Sequence, residues 1–401
     1  MNFNRWDRIV GWCVFAVAAI TYLLTMEPSS SLWDCAEFIA TSYKLEVGHP
    51  PGAPLFMLMA RIATMFAPSS YYVPHMVNGM NCLASAFCIL FLFWTITHLS
   101  RRIFTAGGRE FSTSHKIAVL GAGAIGALAY TFTDTFWFSA VEGEVYALSS
   151  MFTALVVWLM LKWEEQADEP HSTRWIILIA YLMGLSIGVH ILNLLTIPAL
   201  VFIYYFKRYK SVTLKGMALA TLLSLAILGF INGIIIPYTV YLGAMVDLFA
   251  VNTLGLPVNT GIVVFALALL GVLSWGIVRT HRAGKKMWNL LLVCTTMILI
   301  GFSSVAGVPK YTRSPRSRFA TAASASSLSY VAALSSLFRA LRGTSILSPQ
   351  NTCCEAFLGS RMPFIIWHIR TRPLQSTPFA DIPPQRYGTP RSFSAWAMIF
   401  S

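Results

Sequence analysis

Charge is scarce in this chain. Only 11% of its 401 residues are Asp, Glu, Lys or Arg, where a water-soluble domain carries about 25%. That shortage excludes an ordinary soluble globule. The phosphate-cradling and metalloprotease signatures are missing as well: there is no G-x-x-x-x-G-K-[ST] loop, no G-x-G-x-x-G set after a strand and no H-E-x-x-H. ATP-driven transport in cis and dinucleotide chemistry therefore have no support. The seven cysteines (13, 35, 82, 88, 294, 353 and 354) include no C-x-x-C pair and no metal or disulfide spacing, so they read as small hydrophobes.

Apolar surface is abundant. The chain is 56% hydrophobic with a mean hydropathy of +0.64. A membrane span needs roughly 20 apolar residues, and nine such runs are expected at about 9–26, 76–99, 117–139, 146–163, 175–188, 190–206, 216–240, 260–278 and 287–307. The first has no small-x-small cleavage site after it and reads as an uncleaved span. The expected fold is an all-α polytopic membrane protein of about nine transmembrane helices over 1–307.

The formal charge of +13 sits mostly between the apolar runs, where it sets topology rather than binding nucleic acid. Arg5 and Arg8, then Arg101, Arg102, Arg109 and Lys116, then Lys162 and Arg174, then Lys207, Arg208, Lys210 and Lys215, then Arg279, Arg282, Lys285 and Lys286 all fall on one side of a nine-span arrangement. The positive-inside rule makes that side, with the N-terminus, cytoplasmic. Residues 27–75, 140–146, about 189 and 241–259 then face outward. The first outer loop is long and rich in apolar side chains, which suits a segment on or in the membrane surface. The tail 308–401 differs: it is Ser-, Pro- and Arg-rich, with ten Arg and Lys310 against only Glu355 and Asp381. It reads either as a disordered tail or as out-of-frame residues.

Three outer stretches hold the residues most able to do chemistry. In SLWDCAEFIATSYKLEVGHPPGAPLF, residues 31–56, Ser31 is placed to cap a helix whose first turn contains Asp34. Helical spacing puts Asp34, Glu37, Thr41 and Lys44 on one face. His49 opens a Pro-rich turn that stops this helix. In TFTDTFWFSAVEGEVYALS, residues 131–149, Asp134, Glu142 and Glu144 lie near the membrane, where ionisable groups are costly. In GLSIGVHILN, residues 184–193, His190 and Asn193 fall between two apolar runs, beside small residues suited to close helix packing. Topology gathers Asp34, Glu37, His49, Glu142, Glu144 and His190 at one water-facing rim. Each also has a plain structural role open to it, as helix cap, turn anchor or packed polar group.

At these residues the sequence resembles a known family. HPPGAPL at 49–55, DTFWFSAVEGEVYAL at 134–148 and GLSIGVHILN at 184–193 look like the bacterial multi-spanning membrane family related to a eukaryotic protein O-mannosyltransferase. The resemblance covers roughly 1–307 and does not extend to the tail. It implies a GT-C-like glycosyltransferase in the bacterial inner membrane, using a polyprenyl-phosphate-linked sugar donor and a protein Ser or Thr acceptor on the non-cytoplasmic side. It implies an essential acid in the first outer loop, matched best by Asp34 and next by Glu37, and a second-loop acid matched by Glu142 or Glu144. Lys44 and Arg61 are the outer cations available to the leaving phosphate. No cofactor is required by the sequence, though the site admits a divalent cation. A transporter or flippase of a lipid-linked or polar substrate is the alternative. Broken helices would mark it, with the short fifth and sixth spans and Asn232 and Pro237 as its nearest signs.

Overall fold

The computed structural model describes residues 1–304 apart from Val47, Pro50, Pro51, Pro170 and Lys210. The tail expected to begin at 308 lies outside the described residues. Among those described, every regular element is helical: α1 Phe3–Leu24, α2 Cys35–Lys44, α3 Pro54–Thr64, α4 Val73–Thr105, α5 Thr113–Thr131, α6 Asp134–Val141, α7 Val145–Gln166, α8 Thr173–Ile187, α9 Ile197–Arg208, α10 Leu214–Phe230, α11 Ile236–Asn252, α12 Thr260–Arg282 and α13 Lys286–Ser304. Local chemistry starts several of them. The side chains of Asn2, Ser112 and Thr213 accept the backbone N–H of Arg5, His115 and Gly216 at the N-termini of α1, α5 and α10, satisfying amides that have no partner inside the helix.

The chain is an all-α polytopic membrane protein. Seven helical stretches among the described residues are long and apolar enough to cross a membrane, or eight if the pair α5 and α6, bent by 67° at residues 132–133, counts as one. The sequence expectation of nine is corrected at the fifth run: α8 has 15 residues, about 22 Å of helix, short of a bilayer core. The seventh run was expected to end near 240. Instead α10 passes through a π-turn at Ile231–Ile235 into α11 and ends at Asn252, so much of the expected outer stretch 241–259 is helix. Pro237 follows that π-turn; it lacks the N–H a regular turn would use, and the widened turn accommodates the loss. The G-x-G-x-x-G spacing at 121–126 lies within α5, where Gly123 and Gly126 pack against the side chains of α4 rather than opening a phosphate loop.

α4 is the central post, flanked by α1, α5 and α7. Tyr22, Ile89 and Phe93 are fully buried in one core, Phe56, Val77 and Leu148 in a second that also holds Phe38 and Ile39 of α2, and Trp163, Ile231 and Phe302 around a third. In lipid, close backbone approach does much of the work that the hydrophobic effect does in water. α8 crosses α13 at Gly184 and Gly301, where an added Cβ would lie 2.2 Å from the Ile298 carbonyl oxygen and 2.3 Å from that of Tyr181.

The helix ends sort by charge. At one end Arg102 pairs with Glu164 across α4 and α7, Lys207 meets Asp168 at 2.8 Å, and Arg208 stands over Trp163. The other end carries the carboxylates Asp34, Glu37, Glu142 and Glu144.

Candidate active site

The site is built on the turn before α2. Trp33 adopts φ +70°, and Asp34 takes the N-cap position of α2 without a side-chain cap bond. Ser31, expected to cap this helix, instead donates its Oγ hydrogen to Glu142 Oε2 at 2.5 Å. A carboxylate that is 7% exposed needs a donor more than a helix end open to water does.

α2 ends with Leu45 in the left-handed region, φ 51°, which turns the chain back along the helix. His49 then returns to the first turn of α2. Its backbone N–H donates to Glu37 Oε1 at 2.5 Å, its ring Nδ1 lies 3.2 Å from Glu37 Oε2, and its Nε2 lies 3.8 Å from Asp34 Oδ2. Gly52 N–H donates to His49 O at 2.9 Å; Pro50 and Pro51 of the expected turn lie outside the described residues. One ligand atom from each of Asp34, Glu37 and His49 falls within a 4.8 Å cluster. All three side chains are about two-fifths exposed. Two carboxylates and an imidazole form a donor set that a hard divalent cation accepts.

The other two stretches close around this turn. Asn81 of α4, fully buried, donates from Nδ2 to the carbonyls of Glu142 and Glu144, each at 2.6 Å. Asn78, one helical turn earlier, donates to the carbonyls of Glu27 and Ser29. Gly143 lies so close to Asn78 and Ile39 that a Cβ there would sit 2.9 Å from Asn78 Oδ1. Glu144 accepts the Val145 N–H at 3.1 Å and caps α7. Burial pushes its carboxyl above the usual range, and Asp34 and Glu142 nearby push the same way. Burial also pushes the Cys35 thiol up to about 12, so at neutral pH it is no nucleophile. Leu55 N–H donates to the Gly188 carbonyl at 2.8 Å, joining the start of α3 to the third stretch. There the His190 ring packs 5.5 Å from that of Tyr146, and burial lowers its pKa.

Asp34, Glu37 and His49 are thus brought together; beside them Ser31 donates to Glu142, Cys35 Sγ lies 3.9 Å from Glu144 Oε2, and His190 packs on Tyr146. Other sequence candidates stand apart. Lys44 is exposed at the far end of α2. Arg61 donates to the Tyr43 carbonyl at 2.6 Å and stacks over the Tyr43 ring, tying α3 to the end of α2. Asp134 is exposed in the first turn of α6, and Asn193 is buried, accepting from Thr153 Oγ1 at 2.9 Å. Sequence reasoning missed Ser31 as a partner of Glu142, and missed Asn78 and Asn81. Two Asn three residues apart in an apolar run occupy one helix face, a signal that was there to be read.

Comparison with known proteins bears on the same segment. Residues 34–213 match the family model described as the Protein O-mannosyl-transferase TMEM260 N-terminal domain. The mouse protein O-mannosyl-transferase TMEM260 is 29% identical over 174 residues, 43% of this chain and 22% of the mouse protein. Its Dictyostelium discoideum counterpart is 26% identical over 202 residues, 46% of this chain and 22% of that protein. The chain therefore spans about a fifth of the length of these relatives. No solved structure matches. The matched segment begins at Asp34 and contains Glu37, His49, Glu142, Glu144 and His190, though not Ser31; residues 34–213 are related to the N-terminal domain of the TMEM260 protein O-mannosyl-transferases.

Proposed function

We propose that this chain is a GT-C-type glycosyltransferase that moves a hexose, mannose by analogy with the names of its relatives, from a polyprenyl-phosphate-linked donor to a protein Ser or Thr hydroxyl at the carboxylate rim, on the extracytoplasmic side of the membrane. The observation that carries the reading is the unequal use of two neighbouring acids. Glu37 holds His49 by two close contacts, whereas Asp34 occupies an N-cap position without capping and meets His49 Nε2 only at the longer distance of 3.8 Å.

Asp34 is the general base. The acceptor oxygen attacks the anomeric carbon as its proton passes to the Asp34 carboxylate. The bond from that carbon to the phosphate oxygen breaks, and the polyprenyl phosphate leaves with the electron pair. One direct displacement inverts the sugar centre. A phosphate leaving group needs no strong acid; it needs positive potential, and the α2 N-terminus, with no side-chain cap, supplies it at the same place. Glu37 is a positioning residue, and buried Glu142 and Glu144 hold the loop that walls the site.

The transporter reading gains little. The break between α5 and α6 precedes Asp134 at the outer ends, and the one polar side chain in the π-turn of α10, Asn232, is exposed. The test is transfer of label from a radiolabelled polyprenyl-phosphate hexose to a Ser/Thr peptide in membranes containing the chain. Incorporation above empty membranes supports the transferase. Translocation of the labelled lipid without incorporation overturns it.

A further inference from the structure

A second polar site lies at the basic end, remote from the carboxylate rim. α1, α4 and α7 diverge there around a cavity of about 340 Å³, lined by Asp7 and Arg8, by His98 and Arg101, and by Trp158 and Lys162, among others. Its volume falls in the range of small-ligand sites. From Asn81, which holds the outer loop, to His98 on the same helix is 17 residues, about 25 Å along α4.

The cavity's charges are unevenly spent. Lys162 pairs with Glu165 at 3.0 Å, and His98 Nδ1 lies 3.2 Å from the same carboxylate. Among the described residues, Arg8 and Arg101 form no ion pair; Arg8 Nε donates to the Asn4 carbonyl, and Arg101 lies over the Phe3 ring. The Asp7 carboxyl meets Thr97 and feels the charges of Lys162 and Arg101, but its Oδ1 is buried with no hydrogen-bond partner among the described residues. An orphaned buried carboxylate oxygen is costly, and a ligand hydroxyl would satisfy it. The inner wall is aromatic: Trp94 stacks on Trp158 at 5.3 Å, and Trp12, half-exposed on the outside of α1, meets Trp94 edge-on. Two exposed guanidinium groups outside any ion pair among the described residues, an acceptor oxygen lacking a donor and an indole wall leading toward lipid suit a group that is anionic, hydroxyl-bearing and attached to an apolar chain. Basic pockets between membrane helices at the cytoplasmic side take phospholipid headgroups for the same reason, and Trp favours that depth.

We infer that the cavity between α1, α4 and α7 binds the headgroup of an anionic, hydroxyl-bearing phospholipid, with Arg8 and Arg101 on the phosphate and Asp7 accepting from the headgroup hydroxyl. This site is independent of the transferase reading and would anchor the basic ends of the three helices on which the outer site is built.

The test uses the full chain purified in neutral detergent, with native mass spectrometry reading lipid adducts. Phosphatidylglycerol should be retained about tenfold over phosphatidylcholine by the wild type. The double variant R8Q/R101Q should lose that preference, and R279Q, at a remote arginine on α12, should keep it. Equal retention of the two lipids by the wild type, a comparison that needs no variant, overturns the inference. So does an unchanged preference in R8Q/R101Q. A third arm adds glycerol 1-phosphate: failure to displace the lipid at equal concentration supports a lipid ligand, and full displacement assigns the site to a soluble phosphate ester instead.

Discussion

Glu37 grips His49 twice, taking its backbone N–H on one carboxylate oxygen and its ring Nδ1 on the other, at 2.5 and 3.2 Å. This pair sets the direction in which the imidazole presents Nε2 to Asp34. Glu37→Gln keeps the shape but removes the charge from both contacts. The expected result is a fall in kcat of about tenfold, from the loss of roughly 1.5 kcal/mol of charge-assisted bonding, with KM for the donor little changed. Transfer kinetics on both variants checks it. An equal fall in Glu37→Gln and Glu37→Ala with a large rise in KM would instead make Glu37 a substrate contact.

Ser31 and Glu142 form the bond that the capping rule missed. Ser31→Ala leaves a buried carboxylate without its donor, at a cost of about 1–3 kcal/mol. The melting temperature in detergent should drop by several degrees, and Ser31→Thr should restore most of it. A melting temperature unchanged in Ser31→Ala would show that water replaces the hydroxyl at no cost.

Glu144 gives the carboxylate end a pH dependence. Burial raises its carboxyl above the ordinary 4.5, so between that value and the folded-state pKa the folded chain binds more protons than the unfolded one. Stability therefore falls as pH rises through the window just above 4.5 and is at its fullest below it. Glu144→Gln resembles the protonated form and keeps an acceptor for the Val145 N–H. It should flatten that decline, seen as melting temperature against pH from 4 to 7. An unaltered slope would assign the decline to other groups.

The crossing of α8 over α13 predicts intolerance at a position far from any chemistry. Gly184→Ala places a methyl 2.2 Å from the Ile298 carbonyl oxygen, so the two backbones must separate. Overpacking of this kind costs about 1–3 kcal/mol, and thermal denaturation should show it. Gly271→Ala, on α12 where an added Cβ meets nothing within 4 Å, is the matched control and should leave the melting temperature unchanged.

Much of this arrangement was legible because the membrane simplifies the code. Apolar runs became helices, and the basic loops gathered at one end. What escaped was decided by tertiary contact. The bend between α5 and α6 has no proline or glycine at 132–133 to announce it. Ser31 looked like a cap because capping is local, whereas Glu142 lies 111 residues away. Arg61 looked like a free cation until its partner, the Tyr43 carbonyl, was seen. Glu164 and Glu165 fall just past the expected span 146–163, yet both lie in α7 and Glu164 is buried. In the site, the sequence named Asp34, Glu37 and His49, and the structure draws these three together. The difference in role between Asp34 and Glu37 required the return of His49 onto α2.

The most direct measurement is sugar transfer by Asp34→Asn beside the wild type, in membranes carrying equal amounts of each, with a labelled polyprenyl-phosphate hexose as donor. Asn keeps the size and cannot take the acceptor's proton. The expected result is loss of transfer by about two orders of magnitude or more with unchanged membrane insertion and melting temperature. Full activity in Asp34→Asn would contradict the assignment of Asp34 as the base and return the choice to the remaining rim carboxylates.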